Sequence, residues 1–282
     1  MSVLEAICLG IIQGLTEFLP VSSTGHLTLS GKFMNLISED NPEHWTAFIA
    51  IIQLGTLIAV LVYFWKDLIN IIKDFVRNNL IKPVRYSEQN LNSRLGWLII
   101  IGTIPVVIIG IAFKDVIEGA FTKNLYVIVS SLIGLAIILA AAEKIAKFKK
   151  DVKDITILDS LLIGLAQAVS LIPGSSRSGT TITAGLFTGL NREAAARFSF
   201  LLSIPVVLAS GVLQLYEALQ FVDQTMIVNL IVSTIVSAVS GYLAIDFLLK
   251  FLKKNSTFIF IYYRIGLGIL IIVLLLTNFI KP

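Results

Sequence analysis

Cysteine occurs once, at Cys8, and charged residues make up only 14% of the 282 residues; soluble domains carry about 25%. A single cysteine excludes an intramolecular disulfide and any cysteine-rich metal site. No run alternates in the manner of a strand, and no glycine-rich nucleotide signature follows one. The N-terminus has neither a basic leader segment nor a small-residue cleavage site, so no removable signal peptide is expected. The net charge of +4 does not indicate nucleic acid, because Lys and Arg sit in a few stretches between apolar runs.

Apolar residues dominate what remains, at 56%, against about 45–50% in soluble chains. Six runs are long enough to cross a bilayer, which takes about 20 residues. They lie near 45–65, 95–113, 125–142, 198–219, 227–249 and 256–279. The chain therefore reads as an all-α, polytopic integral membrane protein, one membrane domain over 1–282. Two further runs, "VLEAICLGIIQG" and "SLLIGLAQAVSLI", are too short to cross, and each leads into a Pro/Gly/Ser stretch and a second short piece. Such interrupted segments at corresponding places predict re-entrant helical hairpins.

Basic residues orient the spans. Stretch 66–94 carries Lys66, Lys73, Arg77, Lys82, Arg85 and Arg94, stretch 143–159 carries Lys144, Lys147, Lys149, Lys150 and Lys153, and the turn after 249 carries Lys250, Lys253 and Lys254. Stretch 114–124 has only Lys114 and Lys123, and 220–226 has none. The positive-inside rule places the first three in the cytoplasm and the last two outside. The hairpin at about 1–44 then enters and leaves on the outer face, and the one at about 160–197 on the inner face. Each half is one hairpin plus three spans, and three is odd, so the second half is inverted. Repeat 1 covers about 1–142, a cytoplasmic linker about 143–159 and repeat 2 about 160–282, with both termini outside. A trace of duplication supports this: "GIIQGLTEFLPVSS" (10–23) aligns with "GLAQAVSLIPGSS" (164–176) with one gap, pairing Gln13 with Gln167, Pro20 with Pro173, and Ser22 and Ser23 with Ser175 and Ser176.

The hairpin tips hold the chemistry. The first offers Glu17, Ser22, Ser23, Thr24 and His26; the second is "PGSSRSGTT", with Ser175, Ser176, Arg177, Ser178, Thr180 and Thr181. An ionised group at mid-bilayer costs about 2.5–3.5 kcal/mol on insertion scales. Glu17 and Arg177 therefore need a polar cavity and each other. Arg grips phosphate bidentately, helix N-termini bind anions, and a carboxylate, hydroxyls and an imidazole supply base, nucleophile and proton shuttle. Together they suit phosphoryl transfer. Taken singly, Ser22 or Thr180 reads equally well as a helix cap, His26 as a hydrogen-bonded structural residue and Arg177 as a salt bridge between hairpins. Outside the tips, His44 is expected at the surface, with Glu39, Asp40 and Glu43 beside it as weak cation ligands. Pro105 and Pro205 are expected to kink spans, and Arg264 to pair with Asp246 or face a cavity. The competing class is transport, since inverted repeats with broken helices also build anion carriers.

At "QGLTEFLPVSSTGHL" and "PGSSRSGTT" the chain resembles the bacterial undecaprenyl-diphosphate phosphatase family, the bacitracin-resistance proteins, over essentially its whole length. The resemblance implies hydrolysis of undecaprenyl diphosphate to undecaprenyl phosphate and inorganic phosphate in the cytoplasmic membrane, which recycles the wall-polymer carrier. It implies roles for Glu17 (second acid of the first motif), Ser23 (nucleophile) and His26 (proton transfer), diphosphate binding by Ser176 and Arg177, and a further polar contact from Thr181. Arg177 is counted with the catalytic set, and the neighbouring polar residues Gln13, Ser22, Thr24, Ser175 and Ser178 are expected to line the substrate site. The resemblance also implies a divalent cation, Mg2+ or Ca2+, with Glu17 as ligand. Gln13 stands where the family's Glu/Gln-x-x-x-Glu motif takes either residue, so a two-carboxylate site is not complete here. The expected partners are the polyprenyl diphosphate lipid and the bilayer, with no nucleic acid; a homodimer is left open.

Overall fold

The computed structural model describes residues 1–37, 42–118, 124–218 and 224–280; Glu39 and Asp40 lie outside the described residues. In chain order the helices are α1 (Val3–Phe18), α2 (Ser23–Phe33), α3 (Pro42–Tyr63), α4 (Trp65–Val76), α5 (Leu91–Ala112) and α6 (Lys114–Glu118). They continue with α7 (Leu125–Ile145), α8 (Ile157–Val169), α9 (Arg177–Phe187), α10 (Arg192–Ala218), α11 (Gln224–Leu252) and α12 (Phe258–Leu276). No strand forms among the described residues, where the one β-bridge joins Lys150 to Leu190. Six helices are long and apolar enough to cross a membrane: His44–Tyr63, Leu91–Ala112, Leu125–Ile145, Arg192–Ala218, Met226–Leu252 and Phe258–Leu276. These are the six runs expected from hydropathy, with α10 starting earlier at its basic end.

Two helix pairs fall short of crossing. At 1.5 Å per residue, α1 is about 24 Å long, α8 about 20 Å, and α2 and α9 about 16 Å, against a hydrocarbon core of about 30 Å. The pairs α1–α2 and α8–α9 fold alike. A capping box opens each, Ser2 with Glu5 in α1 and Thr156 with Asp159 in α8. Each second arm ends on the same backbone turn, with the Leu36 amide bonded to the Gly31 carbonyl and the Leu190 amide to the Gly185 carbonyl. These pairs share one constant separation along the chain, as do Gln13 and Gln167, Ser22 and Ser176, and Gly25 and Gly179. The expected one-residue gap is therefore corrected. Pro20 and Pro173 drew the alignment out of register, and the structural counterpart of Ser22 is Ser176, not Ser175.

The two halves exchange contacts. α1 packs against α11 while α8 packs against α5, and α3 meets α10 as α7 meets α12. Lipid is as apolar as a helix flank, so these contacts rest on close packing and interhelical hydrogen bonds. A Cβ on Gly164 would strike the Gly102 carbonyl, and one on Gly14 would strike the Ser240 hydroxyl, so glycine lets each backbone approach. Ser237 donates to the Ile52 carbonyl at 3.1 Å and Ser240 to the Gly10 carbonyl at 3.3 Å, tying α11 to α3 and α1.

The stretch 66–94, read from the sequence as a loop, is largely structured. Its first part is α4, whose Ile71 is buried and whose Phe75 lies against Gly96 of α5. The three basic stretches gather at one end of the bundle, tied by Arg197–Asp67, Arg192–Glu143 and Lys253–Glu193 pairs. At the other end the Asn229 amide donates to the Met1 carbonyl at 2.8 Å, and Phe33 lies against Phe279. Both termini thus lie opposite the basic end. His44 is half-buried, and Pro105 and Pro205 sit inside the unbroken helices α5 and α10.

Candidate active site

Pro20 and Pro173 lie in the turns between the arms, and each second arm then starts on a serine forced to positive φ: Ser22 at 74° and Ser176 at 68°. A non-glycine residue in that region costs about 1–3 kcal/mol. Each serine hydroxyl partly offsets this by accepting the amide three residues on, Gly25 or Gly179. Their hydroxyls are therefore helix caps. At Gly174 φ is 85°, and a Cβ there would collide with the Ile128 carbonyl of α7. The second turn is further pinned by the Ser131 hydroxyl, which donates to the Pro173 carbonyl.

The first residue beyond each cap is the chemically distinctive one: Ser23 in α2 and Arg177 in α9. They converge on Glu17 at the end of α1. Arg177 Nη2 donates to Glu17 Oε1 at 2.5 Å, and Ser23 Oγ donates to Oε2 at 2.7 Å. Gln13 Nε2 also donates to Oε2, at 2.9 Å, which leaves Gln13 Oε1 buried without a partner. Arg177 Nη1 reaches the Ser203 carbonyl of α10 at 3.3 Å, and Ser178 Oγ donates to the Leu19 carbonyl at 3.0 Å. The two turns are thus in direct contact, as the sequence required of them. The charges are partners on both sides, so neither is stranded.

His26 lies one helical turn beyond Ser22. Its Nδ1 is 2.7 Å from the Ser22 carbonyl and its Nε2 is 2.7 Å from the Tyr263 hydroxyl of α12. A carbonyl only accepts, so Nδ1 carries the proton, and in the neutral imidazole Nε2 accepts from the Tyr263 O–H. The two rings stack at 5.6 Å with 5° between planes. Ser23 accordingly faces Glu17, not His26. Tyr263 was not read from the sequence; its only signal there is its place beside Arg264, a charge inside a span.

Of the remaining expected residues, Thr24 is half-buried beside Ser23, and Ser175 is fully buried with its hydroxyl unpartnered. Thr181 turns its hydroxyl to Ser199 of α10 at 2.6 Å and to the Arg177 carbonyl at 2.7 Å, inside the α9–α10 packing. Arg264 does not pair with Asp246, which instead accepts from Lys250 at 2.7 Å and Tyr63 at 3.4 Å. Glu17, Ser176 and Ser178 are 7%, 9% and 2% exposed, so the tips are closed over one another. An Arg fork matches a carboxylate or a phosphate, and here Arg177 holds the carboxylate.

Among the described residues no three His, Cys, Asp or Glu side chains gather as a metal cluster. The oxygens at hand are the Glu17 carboxylate and the Gln13 amide oxygen, which is left unpartnered because the Gln13 amide turns its Nε2 to Glu17. Both are hard oxygen ligands of the kind Mg2+ and Ca2+ take, and Mg2+ habitually completes its shell with water and substrate phosphate. One carboxylate and one amide oxygen fit such a cation only with other oxygens completing its shell.

Residues 6–270 match the family model described as bacitracin resistance protein BacA. The chain is 54% identical over 268 residues to the undecaprenyl-diphosphatase of Syntrophobacter fumaroxidans, covering 95% of each. It is 50% identical over 292 residues to that of Chlorobium phaeovibrioides and 48% identical over 292 residues to that of Chlorobaculum parvum, covering 100% of both chains in each comparison. With both sequence motifs brought to one carboxylate and a match along nearly the whole chain, this protein belongs to the bacitracin resistance protein BacA family.

Proposed function

We propose that the chain is a membrane phosphatase that hydrolyses undecaprenyl diphosphate to undecaprenyl phosphate and inorganic phosphate. It thereby returns the lipid carrier to cell-wall synthesis and confers bacitracin resistance. One observation carries the reading: Ser23 and Arg177 bind the two oxygens of the same Glu17 carboxylate. An anion carrier needs the guanidinium but has no use for a nucleophile hydrogen-bonded to a base. The relatives' printed names agree with hydrolysis, and the family description agrees with bacitracin resistance.

The steps follow from the contacts. Arg177 exchanges Glu17 for the terminal phosphate, and the hydroxyl and amide donors around the α9 start take the remaining charge. Glu17 Oε2, already accepting from Ser23 at 2.7 Å, removes the Ser23 proton as Oγ attacks the terminal phosphorus. The bond from that phosphorus to the bridging oxygen breaks, and undecaprenyl phosphate leaves with the bridging oxygen and the electron pair. Water then displaces phosphate from Ser23, and Glu17 returns its proton to Oγ as the bond from phosphorus to Oγ breaks. His26 takes a proton from that water once its Nε2 is released by Tyr263. Glu17 and Gln13 Oε1 would hold a divalent cation when one is bound, and it would supply further neutralisation of the diphosphate charge.

The two short helix pairs act as re-entrant hairpins in this reading, related as inverted copies, with repeat 1 over about 1–142 and repeat 2 over about 160–282. The basic end faces the cytoplasm by the positive-inside rule, so both termini lie outside the cytoplasmic membrane of a bacterium and the Ser23 hairpin opens outward. The test is phosphate release from a polyprenyl diphosphate by purified protein in detergent, where sidedness is lost. Release by wild type, its loss in Arg177→Ala and its loss in Ser23→Ala are expected. Wild type that binds the lipid yet releases no phosphate overturns the reading in favour of transport.

A further inference from the structure

Arg264 is the largest fully buried side chain of the described residues, at 0% exposure. Among the described residues it forms no salt bridge. Its Nε donates to the Leu132 carbonyl of α7 at 3.1 Å and its Nη2 to the Ser175 carbonyl at 3.1 Å, while Nη1 has no partner. Two carbonyl dipoles do not neutralise a full charge. A guanidinium placed inside a membrane domain without a counter-charge is costly, and a carboxylate beside it would have been the simple remedy. None is bonded there.

Its location supplies the reason. A Cβ on Gly179 would lie 2.7 Å from Arg264 Nη1 and 3.1 Å from the Ser176 hydroxyl. The unpartnered nitrogen is therefore packed against the first turn of α9, whose dipole already presents positive potential. The Ser175 hydroxyl, also fully buried and unpartnered, belongs to the same turn. Two like-signed fields and two orphaned polar groups surround the residue next to Arg177. In a trans peptide unit the carbonyl and the following amide point in opposite directions. By holding the Ser175 carbonyl, Arg264 turns the Ser176 N–H away from itself, and it braces the serine that is kept at positive φ.

We propose that Arg264 is the second positive charge of the diphosphate site, a positioning residue that acts through the Ser175–Ser176 turn. This rests on the phosphatase reading above. Arg177 meets one phosphate directly. Arg264 lies behind the turn and offsets the additional charge that distinguishes a diphosphate from the monophosphate product. The enzyme thereby holds its substrate more firmly than its lipid product, and product leaves because half of the charge that this field retains has gone.

The test uses full-length protein in detergent and inorganic pyrophosphate as a probe, so binding is read without turnover. Wild type should gain thermal stability with pyrophosphate, and the gain should exceed that from the same concentration of inorganic phosphate. Arg264→Gln, which keeps a donor for the Ser175 carbonyl but removes the charge, should raise KM for polyprenyl diphosphate by at least tenfold and lose the preference for pyrophosphate. Arg264→Lys, which keeps the charge and loses the fork, should restore most of that preference. If the Gln variant keeps the wild-type preference, or if Lys fails as completely as Gln in protein that remains monodisperse, the charge is not the reason for Arg264 and the proposal is wrong. A wild type that prefers pyrophosphate but releases no phosphate from the lipid overturns the hydrolytic reading while leaving the role of Arg264 standing.

Discussion

Ser23 and Arg177, at matching positions of two separate helix pairs, hold opposite oxygens of one carboxylate, at 2.7 Å and 2.5 Å. In the proposed reaction these two residues are the nucleophile and the anion clamp, and the one carboxylate between them sets their spacing. Opening the site means breaking a buried ion pair. In the proposed reaction the incoming phosphate offsets that loss by replacing the carboxylate as the partner of Arg177.

Glu17→Gln keeps the shape and removes both the base and the counter-charge. General-base loss lowers rates by about 10²–10⁴-fold, and phosphate release should fall by that order. Arg177 loses its partner, so the melting temperature should fall as well. A Glu17→Gln enzyme that turns over within threefold of wild type assigns the base elsewhere.

Ser23→Ala separates covalent from direct hydrolysis. With attack through Oγ, release should become undetectable, and rapid quenching of wild type should trap phosphate on the protein. Release near the wild-type rate in Ser23→Ala would mean that water attacks directly.

Tyr263→Phe keeps the stacked ring and removes only the donor to His26 Nε2. A hydrogen bond of this kind contributes about 0.5–1.5 kcal/mol, so kcat should change by about three- to tenfold with KM unchanged. The kcat–KM split is the readout, since a packing defect would move KM and stability too.

Chelation of divalent cations should abolish release, and Mg2+ or Ca2+ should restore it. Gln13→Ala removes the orphaned amide oxygen and should raise the cation concentration needed for half-maximal rate about tenfold. An unchanged requirement in Gln13→Ala removes this residue from the cation shell.

Gly174→Ala must place a methyl against the Ile128 carbonyl at a φ of 85°. Strain of this kind costs about 1–3 kcal/mol, so the melting temperature should drop. Gly266→Ala, where nothing lies within 4 Å, is the control and should be neutral or slightly stabilising, because alanine favours helix by about 0.8–1.0 kcal/mol. Equal melting temperatures for the two variants would refute the tight turn at Gly174.

The six spans were legible because uninterrupted apolar length is a direct physical requirement of the bilayer, and the short pairs were legible because Pro20 and Pro173 interrupt them. Glu17 and Arg177 were legible as partners because isolated charges are not tolerated there. Helix α4 was missed: Lys66, Asp67, Lys73 and Asp74 made the stretch look like a loop, although Leu68, Ile71, Ile72 and Phe75 recur at helical spacing. That period was the available signal. Tyr263 could not be found this way, since its contact with His26 spans 237 positions of chain. Arg264 was visible as a misplaced charge, but its carbonyl partners depend on how α12 meets α7 and the second turn. The gap in the internal alignment was an error of identity over geometry: matching prolines outweighed the capping serines that the backbone equates.

Those capping serines carry an evolutionary consequence. Two copies with the same bend would have offered the same side chain just after it, giving a receptacle with twin walls and no direction. On the proposed reading, a hydroxyl at that position of one pair and a guanidinium at that position of the other set an attacking side against a gripping side. With the hydroxyl on one helix pair and the guanidinium on the other, a chain cut between the pairs is expected to release phosphate only when both pieces are present.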